Sequence, residues 1–299
     1  MNNQIKIIQF TDPICTWCWG SEPIIRKLQW RFGDQIEVSY IMGGLVNDIR
    51  EFYDHANDIG GDPKESNENI ARHWLEASQK HGMPIRTEGF QLFTEEHPSS
   101  YPQNIAYKAA QIQGQELANK FLRRMREATA TEARQTNRRD ELVGLASEVG
   151  LDIASFIKSL EDGSARQAFE QDLRIASKYL VSSFPSFRLV YGTESMNLHG
   201  FQSYDTLKAI FRNITNDTIT ERPVQKSAES VLQFINRFES VAPVEIKKAF
   251  DLSENEMDSL VTPLINQDTV RKVWAGNGYL IRPTKEAMAC DPESGVCTV

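Results

Sequence analysis

Apolar positions along the chain follow a strand pattern, then a helical one, then a strand pattern again. Ile5-Lys-Ile-Ile-Gln-Phe10 is a β-branched run that predicts a strand. Next, Ile24, Ile25, Leu28 and Phe32 recur at helical spacing, and Gly33-Asp34 supplies a stop. Ile36-Glu-Val-Ser-Tyr-Ile41 alternates as a second strand before Met42-Gly-Gly-Leu45 breaks the pattern. Strand, helix and strand at this spacing predict a right-handed βαβ unit with parallel strands.

Residues 67–178 read as helical nearly throughout, with helices at 70–80, 105–113, 115–128, 140–149, 153–160 and 165–179. Turn signals separate them, among them His81-Gly-Met-Pro84, Tyr101-Pro102, Gly114 and Asp162-Gly163. The arginines between Arg123 and Arg139 alternate with Glu and Thr and are expected on a solvated helix face. Phe184-Pro185-Ser-Phe187-Arg-Leu-Val-Tyr191 and Ser195-Met-Asn-Leu198, joined through Gly192, predict a hairpin. A helix over 204–211 follows, with Ser203 as its N-cap. A βαβ half and a ββα half interrupted by helices describe an α/β, thioredoxin-like fold carrying a large helical insertion.

A polar linker over 213–226 precedes three more helices, at 231–238, 243–250 and 254–265. The third opens on a Ser253/Glu256 capping box. The runs 270–274 and 279–282 flank Gly276-Asn277-Gly278 as a terminal hairpin. Three helices and a hairpin predict a small winged-helix-like α+β module. The expected division is 1–44 with 180–213 for the thioredoxin-like core, 45–179 for the insertion, 227–285 for the module and 286–299 for a tail.

Charge narrows the functional classes. The chain carries a formal charge of −8, which argues against nucleic-acid or anionic-membrane partners. From Ser227 onward eleven acids face seven bases, and the helix that would enter a DNA groove has three acids and no Lys or Arg. The module is therefore expected to contact protein. No signal peptide and no stretch of about 18 apolar residues is evident, so a cytoplasmic location is expected.

The chemistry concentrates in Asp12-Pro-Ile-Cys15-Thr16-Trp17-Cys18-Trp19, where a strand turns into a helix. Free N–H groups and the helix dipole there favour a thiolate on Cys15, and Cys18 lies one turn along the same face. That is dithiol–disulfide chemistry. A zinc site would need a second ligand pair, and Cys290 and Cys297 are separated by six intervening residues, wider than the usual spacing. A structural disulfide here closes almost no loop. No metal or cofactor is expected. Asp12 is either a proton-transfer aid near Cys18 or the opening of an ordinary turn. Trp17 is a candidate apolar substrate rim, Trp19 a packed residue, and His199 either a group acting near the thiols or a structural histidine near the sheet end. The tail cysteines, Cys290 and Cys297, are auxiliary candidates for a terminal disulfide or relay.

The motif, the long insertion and Phe184-Pro185 resemble the DsbA-like branch of the thioredoxin superfamily, especially its FrnE-type cytosolic members. The Ala106-Tyr-Lys-Ala-Ala-Gln-Ile-Gln-Gly114 segment, Ser203-Tyr204-Asp205 and the carboxy-terminal module are similar to cytosolic adaptors that present the regulator Spx to the Clp protease. The first resemblance implies a thiol–disulfide oxidoreductase acting on protein or peptide substrates. It makes Cys15 the exposed nucleophile, Cys18 the resolving thiol, and Pro185 a cis-proline that presents the Phe184 backbone to a substrate, with Trp17 and Phe184 touching it. Thr16-Trp17 lacks the Pro or His common inside this motif, so redox direction does not transfer. The second resemblance implies a regulatory protein as client.

Overall fold

The computed structural model describes residues 4–284. Its organising layer is a four-stranded sheet of β1 (Ile5–Thr11), β2 (Ile36–Met42), β5 (Ser186–Tyr191) and β6 (Glu194–His199) in the order β2-β1-β5-β6. β1 and β2 run parallel, and the other pairs are antiparallel. β1 is central, so Ile5 and Ile7 are fully buried and join a core with Val38, Phe187 and Leu189. β6 lies at the edge and is mostly exposed, which explains its weak apolar signal. α1 (Thr16–Phe32) and α8 (Tyr204–Thr215) cover the sheet through Leu28, Phe32, Leu207 and Phe211.

The insertion departs from expectation at both ends of its first half. A short hairpin, β3 (Tyr53–Asp54) with β4 (Ile59–Gly60), precedes α2 (Pro63–His81), which begins seven residues before the predicted start. The signal was the cap: Asp62 accepts the Glu65 N–H at 2.8 Å, with Pro63 in the first turn. α3 (Tyr101–Ile112), α4 (Gln115–Glu132), α5 (Arg139–Glu148), α6 (Ile153–Glu161) and α7 (Ser164–Lys178) complete it.

The reading of the α4 arginines as a solvated face is corrected here. Arg126 is 1% exposed and the Arg123 side chain 11%, because α4 turns this face onto α1 and the carboxy-terminal unit. Interleaved Glu and Thr are what such a buried face also needs, since each guanidinium must find an anion or hydroxyl.

The carboxy-terminal unit comprises α9 (Ala228–Phe238), α10 (Pro243–Phe250), α11 (Glu254–Asn266), β7 (Val270–Ala275) and β8 (Gly278–Pro283). It lies against α1, where Trp30 stacks edgewise on Phe234 and tilts against Phe250 at 5.4 and 5.7 Å. The turn of its hairpin reaches the insertion: Asn277 donates to the Ile85 carbonyl at 2.9 Å and accepts the Ile85 N–H at 2.8 Å. Gly276 is required there, because its φ is +60° and any Cβ would collide with the Ile85 carbonyl. The preceding linker is held in place, with Ile219 buried and the Arg222 N–H bonded to the Arg31 carbonyl at 2.7 Å.

Candidate active site

β1 ends at Thr11, and Asp12-Pro13 turns the chain so that Cys15 becomes the N-cap of α1, with φ −77° and ψ 113°. Its Sγ accepts the Cys18 N–H at 3.2 Å, the role an oxygen usually fills in a cap. The same sulfur lies 3.6 Å from the Phe184 carbonyl, to which its thiol can donate. The Phe184–Pro185 bond is cis. Gly43 leaves the room that the Phe184 ring occupies. Both cysteines are free thiols, Cys15 6% and Cys18 1% exposed. The expectation of an exposed Cys15 is therefore corrected: Phe184, Trp17 and Leu45-Val46 of the insertion surround it.

The two thiols titrate as a pair. Burial pushes the Cys15 thiol up, and the neighbouring Cys18 reinforces the effect. Cys18 is brought down in spite of its burial by the hydrogen bond from Cys15 and the charge of Arg126, with the Thr11 hydroxyl as a further partner. Asp12 is fully buried and burial raises its carboxyl, although it accepts from Ile14 N, Leu45 N, Ser100 Oγ and Asn104 Nδ2 at 2.7–3.0 Å. With those partners it braces the cysteine loop to the insertion.

Beside the sulfur opens a cavity of about 220 Å³ lined mostly by apolar side chains, including Ile14, Trp17, Phe52, Trp74 and Phe184. Trp17 is half-buried at its mouth and meets the rings of His81 and Phe201 edgewise at 5.9 and 5.8 Å. Trp19 is buried, donates to the Pro84 carbonyl at 3.1 Å and carries the Arg123 guanidinium 4.4 Å above its ring. His199 sits on the exposed edge strand, 3.4 Å from Ser186 Oγ and outside the cavity lining. Cys290 and Cys297 lie outside the described residues. Among the described residues, no cluster of His, Cys, Asp and Glu could hold a metal ion.

His81, edgewise against Trp17 and outside the cavity lining, was not singled out by the sequence. Its Nδ1 accepts the Met83 N–H at 3.1 Å, and burial, then Lys248, lowers its pKa from 6.5 to about 4. The unfolded chain therefore takes up this proton first, so stability is complete above about pH 6.5 and falls as pH drops toward 4. Unfolding by urea at pH 6.5 and 5 is expected to show a loss of roughly 1.5 kcal/mol that His81→Gln removes. An unchanged difference in the variant would assign the loss to other groups.

A family model described as thioredoxin matches residues 8–209. The chain belongs to that thioredoxin family. Solved structures share the fold: a protein disulfide isomerase described as putative from Nitrosomonas europaea has a TM-score of 0.60 at 17% identity, over 72% of this chain and 99% of that one. The cytosolic disulfide reductase DsbM from Pseudomonas aeruginosa has a TM-score of 0.54 at 21% identity, over 71% and 98%. Sequence relatives extend further than the thioredoxin match. ClpXP adapter proteins SpxH are 28% identical, the one from Bacillus subtilis over 92% of this chain and 87% of its own length. For the one from Halalkalibacterium halodurans the shares are 87% and 83%. Matches of that extent include the carboxy-terminal unit as well as the thioredoxin part. No helix among the described residues is long and apolar enough to cross a membrane.

Proposed function

We propose that this thioredoxin-family chain performs thiol–disulfide exchange with protein or peptide substrates in the cytosol, Cys15 attacking and Cys18 resolving. The observation that carries the reading is the Cys15 sulfur capping α1 through the Cys18 N–H, at 3.2 Å, with an open apolar cavity at its side. In the reductive direction Cys15, whose resting thiol is kept protonated by burial, gives up its proton to solvent through the cavity and attacks a substrate disulfide as the thiolate. A Cys15–substrate S–S bond forms and the other substrate sulfur leaves as a thiolate. Cys18, deprotonated, then attacks Cys15 Sγ, forming the intrachain disulfide and releasing the second substrate thiolate. A small thiol or dithiol reductant returns the pair to its dithiol form, and the same steps in reverse oxidise a dithiol substrate. Cys18→Ser is expected to accumulate mixed disulfides through Cys15, because attack survives and resolution does not. Recovery of the variant with no such adduct after incubation with a peptide disulfide would sink the assignment.

A second reading is favoured by the similarity to SpxH proteins over about nine-tenths of the chain: an adaptor that holds a regulatory protein for a Clp-type protease. The Cys15→Ala, Cys18→Ala protein separates the two. An adaptor of this kind keeps its client in pull-down without either thiol, whereas a client held through exchange is lost.

A further inference from the structure

Beneath the thiols, four guanidiniums and three carboxylates meet in one network, buried except at Arg282, whose side chain is 28% exposed. Glu245 bridges Arg26 at 2.9 Å and Arg123 at 3.0 Å, and Glu127 bridges Arg123 at 2.8 Å and Arg282 at 3.0 Å. Glu22 pairs with Arg126 and lies 3.5 Å from Arg123. Counted as ions these groups leave one positive charge over, and the end of the network with a free position is Arg126. Its Nη2 donates to Thr11 Oγ1 at 2.5 Å, whereas its buried Nε has no partner among the described residues. Thr11 ends β1 beside the cysteine loop and Glu22 lies one helical turn beyond Cys18 on the same buried face of α1, so the guanidinium bonded to both is placed next to Cys18. A cation as deeply buried as Arg126, with one donor unmatched, is costly unless a further anion completes it.

We propose that Arg126, held by α4 of the insertion, is the counter-charge of a Cys18 thiolate and so a positioning residue for the resolving step. The Cys18 sulfur supplies the fourth anion, and Thr11, which accepts from the guanidinium, lies at the end of the strand that leads into the cysteine loop. The groups facing this pair are Cys15 and Asp12 from the cysteine loop, Glu22 from α1, Tyr40 from β2 and Arg123 from α4. Of these, Glu22 opposes the thiolate by drawing on the same guanidinium. The arrangement readies the buried sulfur to attack Cys15 as soon as a mixed disulfide forms. The Cys15–Cys18 bond then closes, the Cys15–substrate bond breaks, and the substrate leaves as a thiolate. The electron pair moves from Cys18 to the departing sulfur, and the guanidinium keeps its proton throughout.

This inference rests on the exchange reading only for its kinetic consequence, because the protonation state can be titrated without turnover. Thiolate ultraviolet absorbance against pH, in the full-length dithiol protein, is expected to place the lower macroscopic pKa of the pair about one unit higher in Arg126→Met. Arg126→Lys should restore it to within a few tenths of a unit, and Glu22→Gln should move it the opposite way from Arg126→Met. Loss of packing alone has no reason to give shifts of opposite sign at two partners of one ion pair. Equal shifts in both variants, or no shift in either, would overturn the assignment. If Arg126→Met does not fold, Arg126→Gln, which also removes the charge, is compared with Glu22→Gln by the same criterion of sign. Adduct lifetime with a peptide disulfide is expected to lengthen about tenfold in Arg126→Met. Normal lifetimes with a shifted pKa would leave the charge assignment standing and overturn the kinetic role. Absence of any adduct in Cys18→Ser would instead strike the exchange reading.

Discussion

Cys15→Ser is expected to reduce turnover of a peptide disulfide to background, a loss of at least about a thousandfold. The attacking species is a thiolate, and a serine hydroxyl at the same N-cap position remains protonated and a poor nucleophile toward sulfur. The fold should be unaffected, because serine is itself a preferred N-cap and can accept the Cys18 N–H that Cys15 Sγ accepts at 3.2 Å. Cys18 is only 1% exposed, so it cannot replace the lost nucleophile on a bulky substrate. Rates are best compared in an assay coupled to a small dithiol, with thermal unfolding run alongside. Retention of more than about a tenth of wild-type turnover by a folded Cys15→Ser protein would show that the chemistry lies elsewhere.

Glu245→Ala is expected to lower the unfolding free energy by about 3–5 kcal/mol. The carboxylate is wholly buried, carries the ion pairs to Arg26 and Arg123, and accepts the Ala242 N–H at 2.6 Å in the first turn of α10. Truncation leaves two nearly buried guanidiniums without their shared anion. Urea unfolding at neutral pH is the appropriate measurement. Glu245→Gln should cost less, since an amide can still accept the Ala242 N–H. A loss under about 1 kcal/mol for the alanine variant would mean that solvent reaches these ions and that the network is looser than its geometry.

The βαβ start, the cysteine pair at a helix N-terminus and the carboxy-terminal hairpin were legible because each is encoded by neighbours in sequence. Alternation over Ile36-Glu-Val-Ser-Tyr-Ile41, a cap residue at Ser203 and turn chemistry at Gly276-Asn277 are local signals. The start of α2 was missed because 63–69 has little apolar periodicity, although Asp62-Pro63 marked it. The β3–β4 hairpin was missed because its strands are two residues each, too short to show a period. Arg123 and Arg126 were misread for a different reason. A buried guanidinium looks like a surface one until its partners, Glu22 and Glu245, are brought over from segments about a hundred residues away. The enclosure of Cys15 has the same origin, since Phe184 and Leu45 come from distant parts of the chain.

The hairpin tip that grips the insertion bears on how such a protein can change over time. Asn277 holds Ile85 through both backbone groups and donates to Ser78 Oγ at 3.0 Å, while the adjoining Pro84 carbonyl anchors Trp19 in the helix that carries the thiols. A change at 84–86 is therefore expected to require a matching change at 276–277, and recombination between homologues would separate the two. Chimaeras that exchange everything after residue 226 between relatives should lose stability in proportion to mismatch at these few positions, and co-transfer of 83–86 should restore it.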